Sequence, residues 1–353
     1  MSFPLGEWID SHADCRHNLA KSGMYGAIPA PVPSSADLRR ADEADLRARL
    51  SADVGVDPRR VFLATGASEA NAEVILFLAR LRRGRGRRQV RVCPPEYPPF
   101  VDVARWAGFR PTNDPRPTEL ALISQPRNPE GDVWDRSRFL EWSSGAEWVL
   151  VDETFREFAG TRSFLEVDHP GLFATGSFTK FFAGDDLRVG FVVVPERVVT
   201  DFARFHGLVT NTLAPYSVAG ATRALRDREP TRRRVRRILE ANVAAAQVAF
   251  PKLRVPRAPV LFDRPESGED GDSLARRALG GSVLVCSGSF FGDPAGVRLC
   301  LTRPSFPADL AAYLRVRNRF ASGSGMSKKT KFVSVRAARR RPAGSGRGKA
   351  SPS

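Results

Sequence analysis

Short apolar segments alternate with segments of helical hydrophobic spacing through the middle of the chain. The apolar segments cover residues 61–65, 90–93, 121–124, 147–153, 172–178 and 187–194. Between them, apolar positions recur at helical spacing over 70–83, and further helices are expected near 99–107 and 135–143. Nearly continuous apolar strands separated by helices are typical of a parallel sheet covered on both faces. The block 55–215 is therefore predicted to be α/β with a mostly parallel sheet.

The pattern changes after about residue 215. An arginine-rich helical stretch near 216–250 precedes predicted strands near 258–263, 282–286 and 296–302 and a helix near 307–319. This order indicates a smaller α+β domain. We expect four regions: an N-terminal arm with part of the small domain (1–50), a large domain (51–215), a small domain (216–320) and a disordered basic tail (321–353).

Positive charge is concentrated at the C-terminus. The 353 residues carry a formal net charge of +16, to which residues 321–353 contribute nine cations and no acid, so residues 1–320 carry +7. Further basic clusters lie at 80–91 and 232–237. Basic surfaces bind nucleic acid non-specifically, so a nucleic-acid-binding protein is one hypothesis. However, no aromatic residues interleave with the clusters as they do in base-stacking surfaces. We therefore expect only a weak, non-specific nucleic-acid contact by the tail.

The sequence does not favour several classes of protein. No apolar run approaches the roughly 18–20 residues of a membrane span, and the start lacks the basic and apolar regions of a secretory signal. The four cysteines are far apart, and neither they nor the four histidines have metal-ligand spacing. We expect a cytoplasmic protein with reduced cysteines, no metal and no membrane partner.

Four segments place polar residues where predicted strands end, which is where open parallel sheets bind ligands. The segments are TGASEA (65–70), QPRNPEG (125–131), VDETFREF (151–158) and SFTKFFAGDDLRVGF (177–191). The first fits a phosphate at a helix N-terminus, or an ordinary capped helix. The second fits a simple turn. Asp152 in the third is either a helix cap or a carboxylate with a cationic partner.

Lysine is scarce in this chain, which makes Lys180 a candidate for covalent chemistry. The chain has seven lysines and forty-eight arginines, and only Lys21, Lys180 and Lys252 precede the tail. A partly desolvated lysine loses its proton and attacks a carbonyl, whereas arginine stays protonated. Lys180 lies between aromatic residues at a strand end, so a Schiff base there is a hypothesis that the residues suggest.

Together these motifs resemble the class I/II aminotransferase family, the fold-type-I enzymes that use pyridoxal 5′-phosphate (PLP). The order matches: a GASE-type loop, an aromatic after Pro in PPEYPPF (94–100), an Asn-Pro-x-Gly turn, a strand ending in Asp, then Ser-x-Thr-Lys with Arg eight residues later. Within the family, the chain is most similar to the branch of histidinol-phosphate aminotransferase and threonine-phosphate decarboxylase. The resemblance covers roughly residues 8–318. It implies PLP as cofactor, a PLP-binding large domain and a homodimer.

The resemblance also implies roles for individual residues. Lys180 is expected to form the aldimine with PLP and then to act as general base. Asp152 is expected to pair with the pyridine N–H⁺, which keeps the ring an electron sink. Asn128 is expected to bind the phenolate oxygen and to lie beside the substrate. Tyr97 is expected to stack on the pyridine face.

Two anion-binding groups follow from the same resemblance. The expected phosphate ligands are Gly66, Ala67, Ser68, Ser177 and Arg188. Arg298 in GVRLCL (296–301) matches the arginine that binds the substrate α-carboxylate as a bidentate fork. The segment GSFFG (288–292) precedes it at the family's interval, which favours this role over that of a surface ion-pair residue.

Three positions depart from the family's pattern. Phe155 stands where many relatives have a Tyr that helps Asn128, and its loss is expected to raise the aldimine pKa. Ala41 stands where relatives have a Tyr that reaches the partner subunit's cofactor phosphate. Asp186 stands where a Gly normally precedes the Leu-Arg pair.

The leading hypothesis is a PLP-dependent transaminase acting on an amino acid or amino-acid phosphate, with an oxo acid as the other substrate. The first alternative is decarboxylation of an amino-acid phosphate, which Phe155 favours slightly. A nucleic-acid-binding protein on a degenerate aminotransferase scaffold is the less favoured alternative.

Overall fold

The protein is described from a computed structural model that covers residues 4–81, 88–114, 117–265 and 268–318. The predicted disordered tail and the middle of the 80–91 basic cluster lie outside the described residues. The helices are α1 (Pro4–Ser11), α2 (Ser35–Leu38), α3 (Glu43–Val54), α4 (Ala67–Leu81), α5 (Pro98–Trp106), α6 (Arg136–Ser143), α7 (Arg156–Ala159), α8 (Val199–Val209), α9 (Pro215–Arg226), α10 (Arg228–Ala249), α11 (Gly271–Gly280) and α12 (Phe306–Asn318). The strands are β1 (His17–Asn18), β2 (Val61–Ala64), β3 (Gln89–Val92), β4 (Arg110–Thr112), β5 (Thr118–Ser124), β6 (Ala146–Asp152), β7 (Leu172–Ser177), β8 (Gly190–Val193), β9 (Val260–Asp263), β10 (Val283–Leu284), β11 (Cys286–Ser287) and β12 (Val297–Cys300).

A seven-stranded sheet in the order β2-β8-β7-β6-β5-β3-β4 forms the centre of the larger part. The strands from β7 to β4 pair in parallel, and only β8 runs antiparallel to its neighbours β2 and β7. The structure thus confirms the α/β class with a mostly parallel sheet. In each of β5 and β6, all residues but one are buried, as expected for strands covered on both faces.

The alternation of side chains along each strand divides the apolar core between the two faces of this sheet. On one face, Leu120 and Leu122 of β5 pack in a cluster with residues of α4, α5 and α8. On the other face, Ala121 and Ile123 pack in a cluster that includes Phe139 of α6. Helices α3 and α9 cover the same sheet near β2 and β8.

The C-terminal part contains a three-stranded antiparallel sheet, β11-β12-β9, and the parallel pair β1-β10. Helices α10, α11 and α12 contribute to its apolar core, together with Leu19 from the N-terminal segment. The N-terminal residues therefore complete the smaller sheet region, since β1 pairs with β10.

The stretch expected to be helical near 216–250 consists of two helices, α9 and α10, with a break at Asp227. One expectation about the elements was wrong in detail. The strand expected at 187–194 begins only at Gly190, because residues 185–187 form a helical turn and Arg188 takes a positive φ of 49°. Among the described residues, no helix is long and apolar enough to cross a membrane.

Candidate active site

The carboxyl ends of β5, β6 and β7 and the N-terminus of α4 open into one cavity of about 560 Å³. Helix α1, residues 20–25 and strand β12 close it from the other side. Every candidate residue from the sequence lies on its wall: Gly66, Ala67, Ser68, Tyr97, Asn128, Asp152, Ser177, Lys180, Arg188 and Arg298. Asn128, Asp152, Ser177 and Lys180 meet because they follow or end parallel strands at the same edge of the sheet, whereas Arg298 comes from β12 of the smaller sheet.

Asp152 ends β6 as a buried carboxylate held by neutral donors. Its Oδ2 accepts from Asn71 Nδ2 at 2.9 Å, and its Oδ1 accepts from the Thr154 backbone N–H at 2.8 Å. Burial raises the pKa of Asp152, while hydrogen bonds from Thr154 and Asn71 and the charge of Lys180 oppose the rise. No ion pair joins Asp152 to another described residue, so the carboxylate has room for a cationic partner from the cavity.

Asn71 is a buried residue that the sequence reasoning missed. Its side-chain oxygen accepts from Thr175 Oγ1 at 2.6 Å while its nitrogen donates to Asp152, so it links β6, β7 and α4. The sequence offered one signal for it: Asn71 is a polar residue near the start of a helix that is otherwise largely apolar. Its contacts orient the Asp152 carboxylate toward the cavity wall.

Lys180 lies just after β7, half-buried among aromatic neighbours. Its backbone oxygen accepts from the Met24 N–H at 2.8 Å, which ties the residue to the N-terminal segment. Burial lowers the pKa of the Lys180 amine, and the Asp185 carboxylate opposes that shift. The lowered pKa increases the fraction of neutral amine, the form that attacks a carbonyl.

The α4 N-terminus and the start of β8 form a cradle of backbone at one end of the cavity. Gly66 has a φ of +119°, and a Cβ built there would lie 3.2 Å from Arg188 Nη2. A Cβ on Gly190 would lie 2.3 Å from the Gly66 carbonyl carbon and 2.6 Å from the Ala67 nitrogen. The positive φ at Gly66 and the close backbone contacts at Gly190 favour glycine at both positions, and this arrangement places Arg188 beside the positive N-terminal end of a helix.

Ser177 lies at the end of β7, beside the same cradle. Its hydroxyl is 2.8 Å from Thr179 Oγ1 and accepts from the Thr179 backbone N–H at 3.1 Å. Thr179 is therefore a further polar group of this wall that the sequence analysis had quoted only as part of a motif.

Arg298 and Asn128 meet on the opposite wall. Arg298 Nη1 donates to Asn128 Oδ1 at 3.2 Å, and Nη2 donates to the Ala20 carbonyl at 2.8 Å. Arg298 is 2% exposed, and its Nε–H has no hydrogen-bond partner among the described residues. Arg298 also lines the cavity, and a guanidinium group is well suited to bind a carboxylate there.

Tyr97 precedes α5 and is half-buried, and burial raises the pKa of its phenol. Phe155 lies on the cavity wall and packs in a cluster with Ala258, Val260 and Cys300. A phenyl ring at this place offers Asn128 no hydroxyl. The structure therefore places Phe155 among the residues that line the cavity.

The other two departures from the family's pattern have different surroundings. Ala41 packs against an apolar cluster of its own chain and does not line the cavity. Asp185 and Asp186 both line the cavity, and Asp186 is exposed. Burial raises the pKa of Asp185, while Lys180 and Arg188 oppose the rise. Asp185 was quoted in the sequence motif but was given no role.

The fold, with its cavity at the carboxyl ends of the parallel strands, is that of the PLP-dependent enzymes of fold type I. The sequence model of the family "Aminotransferase class I and II" matches residues 40–302, and the chain belongs to this family. Its cofactor is therefore PLP. The predictions of family, fold class and cofactor are confirmed.

Two of the curated relatives described here match most of the chain, and a third matches about half of it. Threonine-phosphate decarboxylase of Pseudomonas aeruginosa is 28% identical, covering 89% of this chain and 91% of that protein. Capreomycidine synthase of Streptomyces vinaceus is 27% identical, covering 88% and 92%. Histidinol-phosphate aminotransferase of Aeromonas hydrophila is 28% identical, covering 48% and 50%. These names span a decarboxylase, a synthase and an aminotransferase, so more than one reaction occurs among the relatives.

Among solved structures, a PLP-dependent aminotransferase from Streptococcus suis superposes with a TM-score of 0.76. It is 19% identical in sequence, and the match covers 93% of this chain and 99% of that one. This likeness supports the fold of both parts of the chain.

The cavity fits PLP on three observations. Asp152 is a buried carboxylate without an ion-pair partner among the described residues, which suits a protonated ring nitrogen. The backbone cradle beside Arg188 suits a phosphate. A volume of about 560 Å³ is within the range of cofactor and ligand sites.

Proposed function

We propose that the protein is a PLP-dependent transaminase that acts on an amino acid or amino-acid phosphate and uses an oxo acid as the second substrate. The observation that carries the proposal is the meeting of Lys180, Asp152, Asn128, Arg188 and Arg298 in one cavity. These five residues supply an amine, a carboxylate, an amide and two guanidinium groups, which together match the needs of the cofactor and of an α-amino acid.

PLP, when bound, supplies an electron sink for the bonds at the substrate Cα. The Asp152 carboxylate would hold the proton on the ring nitrogen, because Asn71 and Thr154 fix both of its oxygens. The Asn128 side-chain nitrogen would donate to the ring hydroxyl oxygen, since its own oxygen already accepts from Arg298. The Tyr97 ring would cover the cofactor ring.

The phosphate would be held by the backbone of Gly66 and Ala67, by Ser68 and Ser177, and by the Arg188 guanidinium. Backbone N–H groups at a helix N-terminus favour an anion, and the α4 dipole adds to that preference. The cofactor is thereby oriented between the cradle and Asp152.

Lys180 would hold the cofactor through its amine and later act as the base of the reaction. Burial lowers the pKa of this amine, so the neutral form needed for both tasks is favoured. In transamination, Lys180 Nζ would take the proton from the substrate Cα and deliver it to C4′ of the cofactor. Arg298 would bind the α-carboxylate in the meantime and keep the Cα–H bond within reach of Lys180.

A second candidate function is decarboxylation of an amino-acid phosphate. Phe155 on the cavity wall and the full-length match to a threonine-phosphate decarboxylase favour it. In this reaction the Cα–carboxylate bond breaks, carbon dioxide leaves, and Lys180 returns a proton to Cα. The two functions differ in which bond at Cα is held for cleavage.

We also propose, on the family resemblance, that the protein acts in the cytoplasm as a homodimer. Light scattering of the purified protein would test the dimer directly.

One experiment tests the cofactor and the reaction together. The protein is reconstituted with PLP, and its near-ultraviolet and visible absorbance is recorded during additions of amino acids, histidinol phosphate and threonine phosphate. Formation of the oxo product and release of carbon dioxide are then measured on the same samples. For substrates with an α-carboxylate, transamination predicts an oxo acid without carbon dioxide, and decarboxylation predicts carbon dioxide without an oxo acid. For histidinol phosphate, which has no carboxylate, transamination predicts the corresponding keto phosphate. A wild-type protein without a cofactor band, or a band unchanged in Lys180→Ala, would refute the proposal for both reactions.

A further inference from the structure

A fully buried ion pair lies behind the cavity, between the loops that carry Tyr97 and Asn128. Glu96 and Arg127 immediately precede these two residues in the chain. Arg127 Nη1 lies 2.7 Å from Glu96 Oε2, and the two side chains are 0% and 1% exposed. One partner follows β3 and the other follows β5, so the pair joins two separate segments at the same edge of the sheet.

The Glu96 carboxylate is bonded on both oxygens to groups next to the cavity. Its Oε1 accepts from the Tyr97 backbone N–H at 2.7 Å and from Ser124 Oγ at 2.6 Å. Its Oε2 accepts from the Ser124 backbone N–H at 2.9 Å in addition to Arg127. The carboxylate therefore fixes the start of the Tyr97 segment against the end of β5.

The Arg127 guanidinium completes the connection from the other side. Its Nη2 donates to the carbonyl oxygens of Cys93 and Pro95, the latter at 2.6 Å. Its Nε lies 3.6 Å from Glu130 Oε2. Planar guanidinium geometry allows one side chain to hold a carboxylate and two carbonyls at once, which a lysine ammonium does less well.

Ser124 extends the network to Asn128. The Ser124 hydroxyl that donates to Glu96 also accepts from the Asn128 backbone N–H at 3.0 Å. Asn128 in turn accepts from Arg298 on its side-chain oxygen. A continuous chain of hydrogen bonds thus runs from the Tyr97 backbone through Glu96, Ser124 and Asn128 to Arg298.

Stability alone gives little reason for a charged pair at this place. Apolar residues of similar volume are often as stabilising as a buried ion pair, because the charges must be removed from water. What an apolar pair would not supply is the directional set of bonds to Tyr97, Ser124 and the 93–95 carbonyls. The ion pair is therefore better explained by the segments that its hydrogen bonds hold in place than by a contribution to the stability of the fold.

We propose that Glu96 and Arg127 are positioning residues, which hold Tyr97 and Asn128 in the places where they contact the cofactor and, through Asn128, hold Arg298 against the substrate carboxylate. This inference rests on the roles proposed above for Tyr97, Asn128 and Arg298. Neither Glu96 nor Arg127 touches the substrate in this assignment, since both act through their neighbours.

The test compares Arg127→Lys with Arg317→Lys. Arg317 makes a two-point ion pair with Asp263, at 2.7 and 3.0 Å, in the smaller part of the chain and outside the cavity lining. Both substitutions replace a planar fork with a point charge, so a general loss of stability should appear in both. Melting temperature, PLP dissociation constant, the pH titration of the cofactor absorbance band, kcat and KM are measured for each holoenzyme.

Arg127→Lys is expected to weaken PLP binding and to shift the titration of the cofactor band to higher pH, because Asn128 donates less well to the ring oxygen. A displacement of about 1 Å at these residues corresponds to a fall of about 100-fold in kcat/KM. Arg317→Lys is expected to leave the band titration and the PLP dissociation constant unchanged. The proposal is overturned if both variants lose melting temperature alike and neither changes the cofactor band.

A second readout separates this proposal from the proposed function. Hydrogen–deuterium exchange of the protein without PLP should rise over 93–98 and 124–131 in Arg127→Lys, whatever reaction the enzyme performs. Unchanged exchange there contradicts the positioning role, whereas a wild-type protein without a cofactor band contradicts the proposed function instead.

If Arg127→Lys does not fold, Ser124→Ala removes only the hydroxyl link and should shift the band titration in the same direction by a smaller amount. An unshifted titration in Ser124→Ala would then overturn the proposal.

Discussion

Arg298 Nη1 donates a hydrogen bond to Asn128 Oδ1 across 3.2 Å, and this contact joins two residues 170 positions apart in the chain. It connects strand β12 of the smaller sheet with the turn that follows β5 of the larger one. Because the Asn128 oxygen is engaged, its side-chain nitrogen remains as the donor toward the cavity. The two residues proposed to bind substrate and cofactor are thus oriented by one another.

Arg298→Lys tests the proposed carboxylate site. Lysine keeps the charge but cannot bond Asn128, the Ala20 carbonyl and a substrate carboxylate with one planar group. Loss of one hydrogen bond to a charged group costs about 1.5–3 kcal/mol, so we expect KM for α-amino acids to rise about 10- to 150-fold. Steady-state kinetics measure this rise.

The control for that prediction is Arg264→Lys, which alters an arginine outside the cavity lining that pairs with Asp293. Its KM should match that of the wild type. An unaltered KM in Arg298→Lys would show that the substrate carboxylate binds elsewhere.

Asn71→Ala tests whether the support of Asp152 matters to the cofactor. The substitution removes the hydrogen bonds that Asn71 makes with Asp152 Oδ2 and the Thr175 hydroxyl, at a cost of about 1–3 kcal/mol in unfolding free energy. Because one hydrogen bond that opposes the raised pKa of Asp152 is lost, that pKa should rise further. We expect weaker PLP binding and lower kcat, measured by titration and kinetics.

Asn242 supplies a matched comparison for Asn71. It is also a buried asparagine, and its side-chain nitrogen donates to the carbonyls of Leu301 and Arg303 at 2.7 and 2.8 Å. Asn242→Ala should destabilise the fold to a similar extent without changing PLP affinity. Equal losses of affinity in both variants would mean that Asn71 acts only on stability.

Gly190→Ala tests the phosphate cradle. An alanine methyl there would lie 2.3 Å from the Gly66 carbonyl carbon, so β8 and the 66–67 segment must move apart. We expect at least a tenfold weaker PLP affinity, since each 1.4 kcal/mol of lost binding energy is tenfold.

Gly207→Ala in α8 is the control, because no atom lies within 4 Å of its added methyl. It should leave PLP affinity unchanged and stabilise the helix by about 0.4–1 kcal/mol. Equal PLP affinity in both variants would contradict the cradle.

The predictable part of this structure is the part that repeats a simple pattern. The strands β5, β6 and β7 each contain a short apolar run, and motif residues lie at or just after their ends, so both the sheet and the edge that carries the cavity could be predicted from the sequence. By contrast, β4 is the three residues Arg110, Pro111 and Thr112, of which the first two are exposed. A short exposed edge strand has no apolar pattern to detect.

The residues that support the site were harder to predict for a different reason. Glu96 and Arg127 are charged residues in proline-rich turns, and in sequence they are indistinguishable from solvated surface charges. Their burial depends on two segments meeting in space, since 31 positions separate them. The same applies to Asn71 and Asp152, which are 81 positions apart. Likewise, nothing in the arginine-rich stretch around Asp227 marks the helix break.

Lys180→Met tests the lowered pKa of Lys180 through the pH dependence of stability in the protein without PLP. Because the pKa is below that of an unfolded lysine, the unfolded chain binds more protons in the interval between the two values. The wild type should therefore gain stability as the pH rises through that interval. Near neutral pH, methionine removes the cost of burying the ammonium, so the variant should melt a few degrees higher. This advantage should shrink as the pH approaches 10.

Lys252→Met, at an exposed lysine outside the cavity, is the comparison. A Lys180→Met variant that is less stable than the wild type at neutral pH, or whose advantage is independent of pH, would contradict a partly desolvated amine at this position.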